Sequence, residues 1–153
     1  MGIDPGLAAT GIGFVTGEKN IIHSFTHGCI TTPANLSVAD RLDLIYSKIV
    51  HLIESEIPDL VVIEDAFVLK ENPKSGLSLG KVVGVVLLAV GQKKITAIEV
   101  SVRSAKQVLT GNGSASKLQL ERAVRHFLKS DAPISPYHAS DALALALLGL
   151  FRN

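Results

Sequence analysis

"DLVVIE", residues 59 to 64, is short, almost wholly apolar and closed by a carboxylate. A run of this kind is what a strand buried on both faces shows, and such strands belong to parallel sheets covered by helices. "ITAIEV", residues 95 to 100, repeats the pattern, and residues 76 to 91 between the two have helical character. Working outward, residues 2 to 4, "GIGFVTG" (11 to 17) and "NIIHSFTHGCI" (20 to 30) read as an antiparallel meander with a Gly-containing turn. Leu42, Ile45, Ile49, Leu52 and Ile53 then recur at helical spacing, with Ser37 as N-cap, Asp40 in the first turn and Pro58 as the stop. A short helix is expected around Ser101 to Leu109. After "GNGSASK", Leu120, Ala123, Val124, Phe127 and Leu128 form an apolar stripe, with Lys117, Arg125, Lys129 and Glu121 on the opposite face. "PYHASDALALALLGLF" reads as a buried helix beginning near Tyr137. The order of three strands, helix, strand, helix, strand, helices predicts an α/β fold. It is a mixed five-stranded sheet flanked by helices, in one domain spanning 1–153.

With 153 residues, 47% of them hydrophobic, the chain can bury a core without a covalent staple. Cys29 is the only cysteine, which excludes an intrachain disulfide, and no basic leader precedes an apolar signal segment. A reducing cytoplasm is the expected compartment. The longest apolar runs, 82 to 91 and 142 to 151, fall well short of a membrane span and read as core. The net charge of +1 hides an asymmetry. Residues 70 to 129 hold eleven Lys or Arg against Glu71, Glu99 and Glu121, a local +8, while the remainder carries −7. A basic half suits a polyanionic partner, and an acidic half that displays carboxylates suits a cation held beside it.

Several carboxylates do not belong to their surroundings. Asp4, in "GIDPG" (2 to 6), closes a short apolar start just before a Pro-Gly turn. Glu64 ends a strand otherwise built for burial. Asp141 lies in the first turn of an apolar helix, with His138 three residues before it on the same face. If the first strand lies beside the one ending at Glu64, Asp4 and Glu64 emerge together and the last helix brings Asp141 and His138 across them. Such a cluster raises its own proton affinities unless a cation neutralises it, and its hard oxygens favour Mg²⁺ or Mn²⁺. A pair of such ions can clamp the attacking and leaving oxygens of a phosphoryl displacement. Asp65 is set aside, because alternation points it the other way. "GNGSASK" has the wrong order for a triphosphate-binding loop, yet a helix N-terminus carrying Lys117 suits a DNA phosphate. Gly76, Gly80 and Gly84 share one helix face and invite close approach of a second backbone, from the sheet or from another subunit.

"GIDPG", "VVIEDAF", "GNGSASK" and "YHASDALALA" resemble, in order and spacing, the RuvC family of Holliday-junction resolvases, over nearly the whole chain. The resemblance implies an RNase H-like fold and a homodimeric, Mg²⁺-dependent endonuclease, with two ions per site and Mn²⁺ able to substitute. Such an enzyme cuts two strands of like polarity at four-way junction DNA in recombination and repair, alongside the branch-migration proteins RuvA and RuvB. It places the family's acidic set on Asp4, Glu64 and Asp141 and its fourth position on His138. Phe67 matches the aromatic that stacks on unpaired bases, in a loop with Lys70 and Lys74, while Lys106 and Lys117 match the basic residues near the scissile phosphate. Only Met1, Gly2 and Ile3 precede Asp4, a shorter first strand than the family pattern, so the rigidity of Asp4 is open to test. The alternatives are a junction-binding module without catalysis and an RNase H-type nuclease acting on other nucleic acids.

Overall fold

Alternation within the strands decides what each face of the sheet meets. The computed structural model describes residues 1–19, 21–65 and 73–152, with Pro73 and Lys74 described in backbone only. Strands β1 (Gly2–Asp4), β2 (Ala9–Glu18), β3 (Ile21–Thr31), β4 (Leu60–Glu64) and β5 (Thr96–Val100) form one sheet in the order β3-β2-β1-β4-β5. β1, β2 and β3 are the antiparallel meander, and β1, β4 and β5 run parallel. Helices α1 (Val38–Glu56) and α2 (Pro73–Gln92) cover one face. Helices α3 (Val102–Thr110), α4 (Lys117–Leu128) and α5 (Tyr137–Arg152) cover the other.

The caps form as their side chains dictate. Ser37 Oγ accepts the Asp40 N–H at 3.1 Å, and α1 buries Ile45, Ile49 and Ile53. Ile57 closes α1 in the left-handed region at φ 47°, since Pro58 disfavours a helical residue before it. Ser116 and Gln119 make a reciprocal capping box that fixes the start of α4 and therefore the position of Lys117.

Ile3 on β1 points to the α1/α2 side, so Gly2 and Asp4 face α5. Here the sheet has been stripped of side chains. A Cβ on Gly2 would lie 2.0 Å from the Ala142 carbonyl oxygen, and one on Gly11 would lie 1.9 Å from that of His138. Both contacts are with backbone, so α5 rests directly on the β1–β2 ribbon.

One sequence-based placement differs, and one left open is narrowed. Glu121 is 4% exposed instead of sharing a solvated face with Lys117. It accepts the Ile134 N–H at 3.0 Å and sits 2.8 Å from Arg125 Nε, at ion-pair distance but off the hydrogen-bonding direction. A buried carboxylate needs such partners, and the return of the chain at Ile134 supplies one that helical periodicity alone does not reveal. Of the spaced glycines, Gly80 and Gly84 face open space instead of the sheet. They share an exposed stripe of α2 with Leu77 and Leu88, which are 66% and 54% exposed. Ser75–Gln92 is long and apolar enough to span a membrane by length and composition alone, a property that core helices share, and α2 packs on α1 and β5.

Candidate active site

Parallel pairing of β1 with β4 sets Gly2 against Val62 and Ile3 against Ile63, so Asp4 and Glu64 leave adjacent strands at the same end. Val62 faces the α3/α4/α5 side, and alternation sends Glu64 the same way, where Asp4 already points. Asp4 is 7% exposed despite the short strand, pairs with Gly11 on β2, and is followed by a turn that side chains brace. Thr10 Oγ1 donates to the Gly6 carbonyl at 2.8 Å, and Thr32 Oγ1 donates to that of Leu7 at 2.5 Å.

From above, α5 contributes His138 and Asp141 within its first turns. His138 Nδ1 lies 2.6 Å from Asp4 Oδ2, and Asp141 is 7% exposed with Lys117 Nζ 3.8 Å from its Oδ2. The four residues read from the sequence as an acidic centre, Asp4, Glu64, His138 and Asp141, thus come together. Lys117 stands beside them, and Lys106 on α3 acts on Asp141 through its charge. Asp65 is exposed, with its N–H donated to the Val100 carbonyl. Phe67 and Lys70 lie outside the described residues, and Lys74 is placed only by its backbone in the first turn of α2.

Electrostatics reflects the crowding. Burial pushes the Glu64 carboxyl up to about 8, aided by the hydrogen bond to Asp4 and the charges of Asp4 and Asp141. Burial also raises Asp4, to about 6, against the opposing hydrogen bond from Glu64. Asp141 rises too, through burial, with Lys117, His138 and Lys106 pulling it back. Crowding of this kind favours protonation of one carboxyl of the pair, Glu64 before Asp4.

Among the described residues no three His, Cys, Asp or Glu side chains already stand at metal-holding spacing. The donor set nevertheless fits a hard divalent cation. Its carboxyls are largely buried and raise one another's proton affinity, the situation that a cation would neutralise.

Sequence reasoning missed the glycine bed that seats α5. Its signal was present as Gly11-x-Gly13, the period of one strand face, continued by Gly2 on the neighbouring strand.

Comparison with known proteins agrees with this fold. The family model "Crossover junction endodeoxyribonuclease RuvC" matches residues 1–148. A RuvC from Prosthecochloris aestuarii is 38% identical over 150 residues, covering 98% of this chain and 80% of that one. A RuvC from Roseiflexus sp. is 40% identical over 147 residues, covering 96% and 87%. Among solved structures, Thermus thermophilus RuvC in complex with Holliday junction substrate superposes with a TM-score of 0.90 at 26% identity, covering 99% of this chain and 92% of that one.

Proposed function

The chain belongs to the RuvC family of crossover junction endodeoxyribonucleases, and from that premise we propose that residues 1–153 act as one nuclease domain resolving four-way DNA junctions. The observation that carries this is the placement of Asp4 and Glu64 on adjacent parallel strand ends, with His138 and Asp141 laid over them by α5. Family members depend on a divalent metal. Asp4, Glu64 and Asp141 would hold it here, with His138 as a fourth ligand or a proton carrier, and Mg²⁺ in a pair is the identity and number that the oxygen donors favour. When bound, it supplies Lewis acidity at the scissile phosphate.

The chain's own groups do the rest. Asp4 orients His138 through the 2.6 Å contact, so the imidazole can pass a proton to or from the reacting oxygens. Lys117 and Lys106 would put positive charge where the phosphoryl group gains negative charge, and Lys117 is exposed at the surface, where a substrate phosphate can meet it. Water oxygen bonds to phosphorus, the bond to the 3′ oxygen breaks, and the 3′ hydroxyl and 5′ phosphate that remain can be ligated. Phe67 would stack on unpaired bases at the crossover, with Lys70 and Lys74 on nearby phosphates.

A second copy of the chain would supply the second cut. A twofold junction calls for a twofold dimer, and the exposed stripe of Leu77, Gly80, Gly84 and Leu88 lets two α2 helices approach closely. RuvA and RuvB are the partners that family membership suggests, in a bacterial cytoplasm.

The test is cleavage of a labelled four-way junction in Mg²⁺, beside linear duplex and RNA–DNA hybrid, by wild type and Asp4→Asn. Paired symmetric nicks in the junction alone, lost in the variant while binding persists, are expected. Preferential cutting of the hybrid would overturn the reading, and junction binding without cutting by the wild type would favour the non-catalytic alternative.

A further inference from the structure

Tyr137 is the first residue of α5 and is 49% exposed, the one Phe or Tyr among the described residues that is open to solvent to this degree. Among the described residues its hydroxyl has no hydrogen-bond partner. A single exposed aromatic is unremarkable on most surfaces, so its placement decides. Tyr137 precedes Asp141 by four residues, which puts the two side chains on one helix face, one above the other. Side chains of a helix tilt toward its N-terminus, so the ring of Tyr137 leans past the end of α5 at the mouth of the carboxylate site. The same mouth carries His138, partly exposed, and the Lys117 ammonium 3.8 Å from Asp141. An apolar ring beside the Lys117 ammonium and the His138 imidazole, over a buried acidic centre, matches a nucleotide whose phosphate enters the site and whose base remains outside.

We infer that Tyr137 is a second nucleotide contact of this site, independent of Phe67, and stacks on a base adjoining the scissile phosphate. The inference rests on the junction-resolving function proposed above. Stacking of a base on an aromatic face tolerates sequence and needs no hydroxyl, so phenylalanine should replace tyrosine while alanine should not. The contact exists only when a strand is seated for cutting. It therefore adds affinity for the seated strand at one nucleotide, and not affinity spread along the duplex.

The experiment uses Asp4→Asn as parent, so that the junction is bound and not cut. Junctions carry 2-aminopurine on one side or the other of the phosphate where the wild type nicks. Binding of the parent should quench one of these probes. Adding Tyr137→Phe should keep the quench, and adding Tyr137→Ala should abolish it and weaken junction binding roughly 5- to 10-fold, the lower end of a stacking contact. In the otherwise wild-type chain, Tyr137→Ala should raise KM more than it lowers kcat, with the far-ultraviolet circular dichroism unchanged. An Asp4→Asn/Tyr137→Ala protein that quenches as fully as its parent overturns the inference and leaves the junction reading intact. A parent that binds no junction overturns both.

Discussion

Replacing Glu64 by glutamine should stabilise the metal-free protein at neutral and alkaline pH while abolishing cleavage. A carboxyl whose proton affinity rises from the ordinary 4.5 to about 8 in the fold is ionised at a penalty that the open chain does not carry. Taken at face value the difference is about 5 kcal/mol, and water at the partly open mouth screens it to about 2 to 3 kcal/mol. The sign follows from proton binding. Below the ordinary value both folded and unfolded chains keep the proton and no penalty exists; as pH rises toward about 8 the unfolded chain has released it and the fold must follow. Stability of the wild type therefore falls across that window. Glutamine removes the charge, and its amide can donate to Asp4 as the protonated carboxyl does. For a chain of this length the gain corresponds to a melting temperature roughly 5 to 10 °C above wild type at the alkaline end, converging at the acid end. Thermal unfolding in chelator across the window reads this directly. Added Mg²⁺ should raise the wild-type melting temperature most at high pH and that of Glu64→Gln little. Parallel wild-type and variant curves, or a variant that melts lower at the alkaline end, would refute the claim that the carboxyls are crowded for function at a cost in stability.

Gly11→Ala places a Cβ 1.9 Å from the His138 carbonyl oxygen, and should cost about 1 to 3 kcal/mol by overpacking, read by thermal melting. Its cleavage rate should fall by about 10²-fold, because displacing the start of α5 misplaces both His138 and Asp141. Lys117→Ala should lower kcat about 10²-fold, and since Lys117 holds the proton affinity of Asp141 down, the acid limb of the pH–rate profile should move to higher pH. Gly84→Glu faces open space in the monomer and should leave its stability unchanged or slightly better, since glycine is the poorer helix former, while sedimentation should report a monomer where the wild type forms the dimer proposed above.

The fold was legible because burial writes itself into composition: "DLVVIE" and "ITAIEV" lie side by side in parallel register, and the meander and helices follow in the expected order. The acidic centre was legible for the complementary reason, since Glu64 and Asp141 carry charge in segments that otherwise exclude it. Glu121 escaped because the backbone N–H that it accepts comes from Ile134, 13 residues away, and sequence spacing within a helix sees only neighbours three and four apart, such as Arg125. Tyr137 escaped because an exposed aromatic has no periodicity; it becomes meaningful only when the carboxylate beneath it is located.

The glycine bed explains how so unfavourable a centre is held. Three carboxyls raised by burial push the site apart, and a side chain on β1 or β2 under α5 would let the helix lift and relieve them. Gly2 and Gly11 remove that freedom by bringing helix and sheet backbones into contact, so the N-terminal turns of α5 are located by close packing instead of by the charges themselves. The burial of α5 from Ala139 to Gly149 anchors the same helix along its length. Repulsion at the mouth is thereby held against a packed core, where a cation would neutralise it without moving the frame. This is why Gly11→Ala should damage cleavage more than stability, whereas Glu64→Gln should do the reverse of damage to stability and remove cleavage altogether.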